Sequence, residues 1–144
     1  MQTIESVSEL EALYGVTVQG AIDKVCDHIT PLYRRWIGAS KFVILSTVGP
    51  EGTDASPRGD RDEVVRIANP KTVLMPDWRG NNRLDSLKNI VRDGRLSLMF
   101  MVPNSNTVVR VNGTETLTAQ ARVTEQLEHQ GKLPRTVISV SYTH

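Results

Sequence analysis

Apolar residues along this chain are spaced as in helices for the first forty residues and then fall into short β-branched runs. The helical spacing predicts three helices, over residues 6–14, 18–29 and 31–36. Gly15 and Gly38 are placed to end the first and the third of them. The amino-terminal part is therefore expected to be a helical extension.

The rest of the chain alternates strand patterns with turn residues, and only two further helices are predicted, over residues 84–91 and 125–130. The turn-forming pair Asn112-Gly113 is taken to separate two strands, because this dipeptide is typical of hairpins and bulges. Six to eight short strands with few helices favour a mainly β fold, an antiparallel barrel that is closed or nearly closed. The predicted strands cover residues 41–47, 53–57, 64–68, 72–75, 96–102, 107–111, 114–121 and 136–141.

The length of 144 residues fits one domain, with a helical extension over 1–40 and a barrel over 41–144. A net charge of +1 argues against a general nucleic-acid binder, which usually has a strong basic excess. No apolar run approaches the ~18 residues of a membrane span, and no secretory signal precedes the first helix. We therefore expect a cytoplasmic protein that binds neither nucleic acid nor membrane.

Metal chemistry has little support in the sequence. Cys26 is the only cysteine, which excludes an intrachain disulfide and a cysteine-based zinc site within one chain. The three histidines, His28, His129 and His144, do not have the spacing of metal ligands. We expect no metal site.

The segment from Met75 to Arg83 is the strongest candidate for chemistry, because it links a predicted strand to a predicted helix. The free N–H groups at a helix N-terminus favour an anion, and arginine adds a fork of donors suited to phosphate. A second polar segment, residues 54–60, also contains an arginine. Together they indicate a phosphate-bearing cofactor. Alternatively, Arg79 and Arg83 are solvated surface residues and the neighbouring asparagines cap the helix.

Residues 43–113 carry three blocks that identify a resemblance. The blocks are Asp54-Ala55-Ser56-Pro57-Arg58-Gly59-Asp60, then Leu74 to Asp77 with Gly80-Asn81-Asn82-Arg83-Leu84-Asp85, then Leu98 to Pro103 with Arg110-Val111-Asn112-Gly113. In this order they resemble the FMN-binding split barrel of the pyridoxamine 5′-phosphate oxidase family, and within it a branch described only as FMN-dependent enzymes. The resemblance implies an antiparallel split β-barrel with peripheral helices.

The same resemblance implies a homodimer with FMN at the subunit interface. Residues beside the isoalloxazine and ribityl chain would be Ser56, Pro57, Arg58 and Gly59, and the end of the next strand would add Met75 and Pro76. Asn81, Asn82 and Arg83 resemble the family's phosphate-binding turn, where Arg58 could supply a second cation. Arg110 lies on the strand that often closes the site. Trp78 is a further candidate, either stacked on the flavin or anchored in an interface or in the core.

Two of these arginines have competing interpretations from the sequence. Arg58 could pair instead with Asp54 or Asp60. Arg110 lies in an alternating apolar strand, where a buried charge needs a partner such as a phosphate or Glu115. The loop of residues 60–63 is expected to be solvated, or to act as a lid.

Members of this branch usually continue for about fifty residues past the position of Ile138, so the chain is expected to be C-terminally shortened. The predicted activity is that of an FMN-dependent oxidoreductase, with electrons moving between the flavin and a small substrate or a reduced nicotinamide. The alternatives are a flavin-binding protein without turnover, or the same barrel with F420 or haem.

Overall fold

The computed structural model describes residues 1–144, and it contains seven strands and five α-helices. The helices are α1 (Val7–Tyr14), α2 (Gln19–Ile22), α3 (Pro31–Ala39), α4 (Asp85–Arg92) and α5 (Ala121–Thr124), the last followed by a 3₁₀ turn at Glu125–Leu127. The strands are β1 (Phe42–Gly49), β2 (Gly52–Gly59), β3 (Arg66–Asn69), β4 (Thr72–Asp77), β5 (Arg95–Met101), β6 (Val108–Thr118) and β7 (Thr136–Tyr142). None of the helices has the length and apolar character that crossing a membrane requires.

All seven strands form one antiparallel sheet in the order β2-β1-β5-β6-β7-β4-β3. Residues from β1 and β5 share one buried cluster with residues from β4 and β7, although these strand pairs lie in opposite halves of the sheet. The sheet therefore curls around a common core. The predicted mainly β architecture with N-terminal helices is confirmed.

Strand side chains alternate between this core and the outside. Val43 and Leu45 of β1 are fully buried, as are Leu98 and Phe100 of β5, while the residues between them are more exposed. This period of two follows from the pleat of a strand. Helix α4 covers part of the interior with Leu87 and Ile90 and leaves its other side in solvent.

The long helix predicted over residues 18–29 is wrong in its second half. The helix ends at Ile22, and no residue of α2 is buried. Ile29 instead enters the core, and its N–H donates to Pro70 at 2.8 Å. The carbonyl of Cys26 accepts from the Tyr142 hydroxyl at 3.0 Å. These long-range contacts outweigh the local helical spacing.

The separation predicted at Asn112-Gly113 is also wrong, because β6 continues through both residues. Asn112 pairs with Ser97 of β5, and Gly113 pairs with Tyr142 of β7. A Cβ added at Gly113 would lie 2.3 Å from the carbonyl oxygen of Ser141. Glycine is therefore needed here for the close approach of β7, not for a turn.

Replacing this glycine tests the interpretation. Gly113→Ala is expected to lower the free energy of unfolding by roughly 2–3 kcal/mol, because the added methyl forces two paired backbones apart. The matched control is Gly38→Ala in α3, where a Cβ meets nothing within 4 Å. That change should leave stability equal or higher, since alanine has the better helix propensity. Equal urea midpoints for Gly113→Ala and the parent would contradict this account.

Candidate functional site

A cleft of about 1050 Å³ lies between β2, the end of β4 and helix α4. This volume is at the upper end of the range for small-molecule and cofactor sites, ~300–1,000 Å³. Its lining comes from three separate stretches of the chain, residues 54–58, residues 77–88 with 91 and 92, and residues 135–136, together with Leu117. The two polar segments singled out in the sequence therefore face one another.

Helix α4 begins in this cleft without a side-chain cap. Its N-cap residue, Leu84, has a left-handed backbone with φ of 62° and makes no capping hydrogen bond. Asn82 is also left-handed, and the Asn81 side chain accepts a hydrogen bond from the Arg83 N–H at 3.1 Å. The idea that the asparagines cap the helix is therefore wrong. The first-turn N–H groups of α4 are left for another acceptor.

A left-handed leucine is unusual, because its side chain makes this backbone region unfavourable by ~1–3 kcal/mol. Asn82 and Leu84 place two such residues in the turn that leads into α4, and the other two non-glycine residues with positive φ, Asn104 and Gln130, lie outside the cleft. Such outliers are concentrated at ligand-binding turns. Here the strained turn also holds the free helix N-terminus in the cleft.

Positive charge is concentrated along the cleft. Six basic and three acidic residues line it, a formal charge of +3 against +1 for the whole chain. Arg83 pairs with Asp85 at 3.0 Å, but its side chain is 75% exposed and the pair is correspondingly weak. Four other cations lining the cleft form no ion pair within the chain: Arg79, Lys88, Arg92 and Arg135.

Arg58 and Asp77 form the best-shielded ion pair of the cleft. The Nη1 atom of Arg58 donates to Oδ1 of Asp77 at 2.6 Å, and the two side chains are 23% and 16% exposed. The Nε atom of Arg58 also donates to the Ser56 hydroxyl at 3.3 Å. The alternative interpretation, in which Arg58 pairs with Asp54 or Asp60, is therefore wrong. Its Nη2 atom has no partner within the chain and is available to a ligand.

Asp54 has a different role, which is to join β2 to α4. The hydroxyl of the buried Ser86 donates to the Asp54 carboxylate at 3.2 Å. This bond fixes the helix start against the opposite wall of the cleft.

Of the residues predicted to bind a cofactor, six line the cleft: Ser56, Pro57, Arg58, Asn81, Asn82 and Arg83. Gly59 ends β2 beside Phe42, outside the lining. Met75 is 1% exposed and belongs to the core, and Pro76 lines a smaller cavity beside residues 60–66. The role of these three residues as cofactor contacts has no support from the cleft geometry.

The structure also corrects the expected environment of Arg110. Its side chain lies on the exposed outer face of β6, directly opposite Met99 of β5, and not in the cleft. The expectation that it is buried and needs a partner is therefore wrong. Glu115 does not pair with it, because residues 110 and 115 point to opposite faces of β6.

Sequence reasoning missed Asp77, Lys88, Arg92 and Arg135 as cleft residues. Strand alternation from the apolar Val73 and Met75 assigns Asp77 to the interior face, so this signal was present. Lys88 lies on the helix predicted over residues 84–91, and Arg92 follows four residues later, one position past that predicted end. Arg135 reaches the cleft only through long-range pairing of β7, which has no local signature.

Trp78 lines the wall of the cleft and is half-buried, which agrees with either predicted role. The loop of residues 60–63 is tied elsewhere, since Asp62 pairs with Nε2 of His129 at 3.0 Å. None of the three histidines lines the cleft. No group of three or more histidine, cysteine, aspartate or glutamate side chains is arranged to hold a metal ion.

The model of the family described as pyridoxamine 5′-phosphate oxidase matches residues 29–144 of this sequence. The chain belongs to the pyridoxamine 5′-phosphate oxidase family. A comparison with curated proteins finds no match.

Solved structures similar to this family member share its fold at low sequence identity. HupZ of Group A Streptococcus is 17% identical with a TM-score of 0.64, over 81% of this chain and 96% of that one. A candidate pyridoxamine 5′-phosphate oxidase from Lactobacillus delbrueckii is 17% identical with a TM-score of 0.66, over 83% and 93%. An FMN-binding protein from Syntrophomonas wolfei is 13% identical with a TM-score of 0.51, over 94% and 93%. The split-barrel expectation is confirmed.

Glu115 of this family member is a buried carboxyl group without a partner. It is 7% exposed, and neither carboxyl oxygen makes a hydrogen bond. It lies on the interior face of β6, two residues before Leu117, which lines the cleft. Burial first, and then the negative charge of Asp93, raises the pKa of Glu115 from 4.5 to about 8. Glu115 is therefore protonated near neutral pH.

This raised pKa predicts how stability depends on pH. Between pH 4.5 and 8 the folded chain holds one proton more than the unfolded chain, so the free energy of unfolding falls as pH rises. Glu115→Gln should match the parent at pH 4 and exceed it by roughly 1–3 kcal/mol at pH 8, measured by urea unfolding. The control is the exposed Glu11→Gln, which should follow the parent at both pH values. A constant difference between Glu115→Gln and the parent across this range would contradict the assignment.

Proposed function

We propose that this chain binds FMN in the cleft and acts as an FMN-dependent oxidoreductase on a small organic substrate or a reduced nicotinamide. The observation that supports this most is the uncapped start of α4 beside Asn81 and Arg83, inside a cleft whose lining carries an excess of positive charge. A phosphate monoester satisfies both features, because it accepts from free N–H groups and carries about −2 charge near neutral pH.

The residues present fit FMN at both ends of the cleft. The first-turn N–H groups of α4 and the Arg83 guanidinium would hold the phosphate, and Asp85 would release Arg83 easily because that pair is exposed. Along β2, Ser56, Pro57 and Arg58 would line the ribityl chain and ring. Arg58 is held in place by Asp77 and keeps one free nitrogen for a ring oxygen or nitrogen.

FMN would supply the redox chemistry, and the protein would supply binding, orientation and electrostatics. A donor from Arg58 beside the ring favours the reduced, negatively charged form. Trp78 is half-buried in the lining of the cleft and would shield one side of a bound flavin from water.

We also propose that the chain works as a homodimer through the outer face of β1 and β5. This face carries a band of apolar side chains in register: Phe42 pairs with Met101, which pairs with Val108, and Ile44 pairs with Met99. Phe42, Met99 and Val108 are each between 37% and 47% exposed. Since such a band is more typical of an interface than of a free surface, a second copy is the partner we infer.

Arg110 lies in the same row as this band, opposite Met99. In a dimer formed through this face, Arg110 would lie at the subunit boundary and could reach the partner's cleft. In this arrangement Arg110 would contact the cofactor bound by the partner, in agreement with the role predicted for it.

The alternatives differ in how well the cleft suits them. Haem is disfavoured as a ligand, because no histidine lines the cleft to serve as an axial ligand. F420 has better support than the net charge suggests, since the cleft lining carries +3. A flavin-binding protein without turnover has the same cleft and differs only in reactivity.

The proposed function is tested first by flavin titration. The purified chain should take up FMN with absorbance near ~450 nm, and NADH or NADPH should bleach it if the chain is an enzyme. Arg83→Ala should weaken FMN binding by roughly 1.5–3 kcal/mol, and riboflavin binding much less, because only FMN carries the phosphate. The matched control is Arg61→Ala in the tethered loop, outside the cleft.

Two results would separate the alternatives, and a third would test the role of Arg83. A chain that takes up F420 but not FMN contradicts the flavin assignment. Uptake of FMN without bleaching by either nicotinamide favours the binding protein. An unchanged FMN affinity in Arg83→Ala would remove Arg83 from the phosphate site.

The dimer is tested by placing a charge in the apolar band. Met99→Asp should convert a sedimenting dimer to a monomer, because a carboxylate would be buried against the partner's apolar side chains. The control is Val16→Asp, which changes an exposed valine between α1 and α2, away from this band and from the cleft. A parent chain that sediments as a monomer at micromolar concentration would contradict the proposal.

A further inference from the structure

A second cavity of about 550 Å³ continues from the cleft along α4, toward the turn between β1 and β2. No hydrophobic side chain lines it. Five residues line both spaces: Asp54, Arg83, Asp85, Lys88 and Arg92. A ligand whose phosphate lies at the start of α4 therefore has room to extend past it.

Lys88 and Arg92 are the free cations at this junction. They are four residues apart, so they lie on the same side of α4. Neither forms an ion pair, whereas the two shared acids are already engaged, Asp85 by Arg83 and Asp54 by the Ser86 hydroxyl. The pair is therefore available to an anion without breaking an existing bond.

The floor beneath this junction is fixed. The Asn89 amide donates to the hydroxyl of Thr47 at 3.1 Å, and Thr47 is fully buried. A Cβ added at Gly49 would lie 2.2 Å from Oδ1 of Asn89, so the end of β1 touches the helix directly. Because this contact positions α4, it sets where Lys88 and Arg92 stand relative to the cleft.

One phosphate at the start of α4 does not engage every cation of the site. It would be held by the first-turn N–H groups and Arg83, which leaves Lys88 and Arg92, one and two helical turns beyond the free N-terminus, without an anion. The exposed Glu51 is the remaining acid of the second cavity, and it pairs with neither cation. We propose that Lys88 and Arg92 form a second anion subsite, which binds a second phosphate group of a nucleotide ligand. This inference rests on the proposed function, because it takes the first phosphate to bind at the start of α4.

Two nucleotides could bring that second phosphate. One is a flavin carrying a diphosphate, FAD, bound in place of FMN. The other is NADPH, whose 2′-phosphate distinguishes it from NADH as the electron donor. In both cases the same two cations would bind a phosphate group. FAD binding is detected by flavin affinity, and NADPH binding is detected by KM.

The experiment compares the parent with the double variant Lys88→Gln, Arg92→Gln, and with the control Lys132→Gln, Arg122→Gln. Both control residues are exposed cations that line neither cavity. The dissociation constants of FMN and FAD are measured by flavin fluorescence. KM for NADPH and for NADH is measured with the FMN-loaded protein. Thermal melting confirms that each variant is folded.

If the subsite holds the flavin diphosphate, the double variant should bind FAD at least tenfold more weakly and FMN less than threefold more weakly than the parent. If it holds the nicotinamide phosphate, KM for NADPH should rise at least tenfold while KM for NADH stays the same. The control variant should behave as the parent in either case. Either selective loss supports the subsite and identifies its source.

Three results would overturn it. A double variant that binds FMN as the parent does, with FAD affinity and the NADPH to NADH ratio also unchanged, removes the subsite and leaves the proposed function intact. A parent chain that takes up neither flavin removes the proposed function, and the subsite with it. Equal losses for FMN and FAD would assign Lys88 and Arg92 to the first phosphate instead.

Discussion

The ion pair between Arg58 and Asp77 closes the one gap that the hydrogen-bonded sheet leaves. Strand β2 is the free edge at one end of the sheet, and β4 lies next to the other end, so no backbone ladder joins them. The two side chains meet at 2.6 Å in a partly shielded position. A hydrogen bond to a charged group is worth about 1.5–3 kcal/mol, which is enough to favour the curled sheet without sealing it. The cleft is the part of this gap that the ion pair leaves open.

Helix α4 forms the second wall of the cleft, and contacts on its buried side hold it in place. Leu87 and Ile90 pack into the core, while Ser86 and Asn89 bond to β2 and β1. With these anchors the helix needs no capping side chain, and the strained turn at Leu84 is tolerated. The free N-terminus of α4 is thus held in place by packing, so that its N–H groups would bind an anion with little rearrangement of the backbone.

The sequence predicts those parts of the molecule whose pattern is local. The strands follow from alternation, and the polar turn after β4 follows from its position before an amphipathic helix. The helix over 18–29 failed because Cys26 and Ile29 contact β7 and Pro70, far away in the chain. The break at Asn112-Gly113 failed because the glycine serves a close approach to Ser141. Turn propensity cannot distinguish that use of glycine from a hairpin.

The candidate site likewise contains residues that local sequence predicts and residues that it does not. Residues 56–58 and 81–83 were found because each group is contiguous and polar. Asp77 was missed although alternation placed it inward, and Arg135 was missed because only the pairing of β7 brings it to the cleft. The misplacement of Arg110 came from its apolar neighbours, which form the core on one face of β6 and an exposed band on the other. Glu115, buried and without a partner, had no sequence signal beyond its place in that alternation.

The central claim is that a phosphate group binds at the free start of α4. The measurement that tests it most directly is the change in backbone amide chemical shifts on adding FMN, compared with riboflavin, in the isotope-labelled chain. The account predicts that the amides of residues 83–87 shift strongly with FMN and little with riboflavin, while those of residues 56–58 shift with both. Equal shifts at residues 83–87 with the two flavins, or shifts confined to another surface, would contradict it.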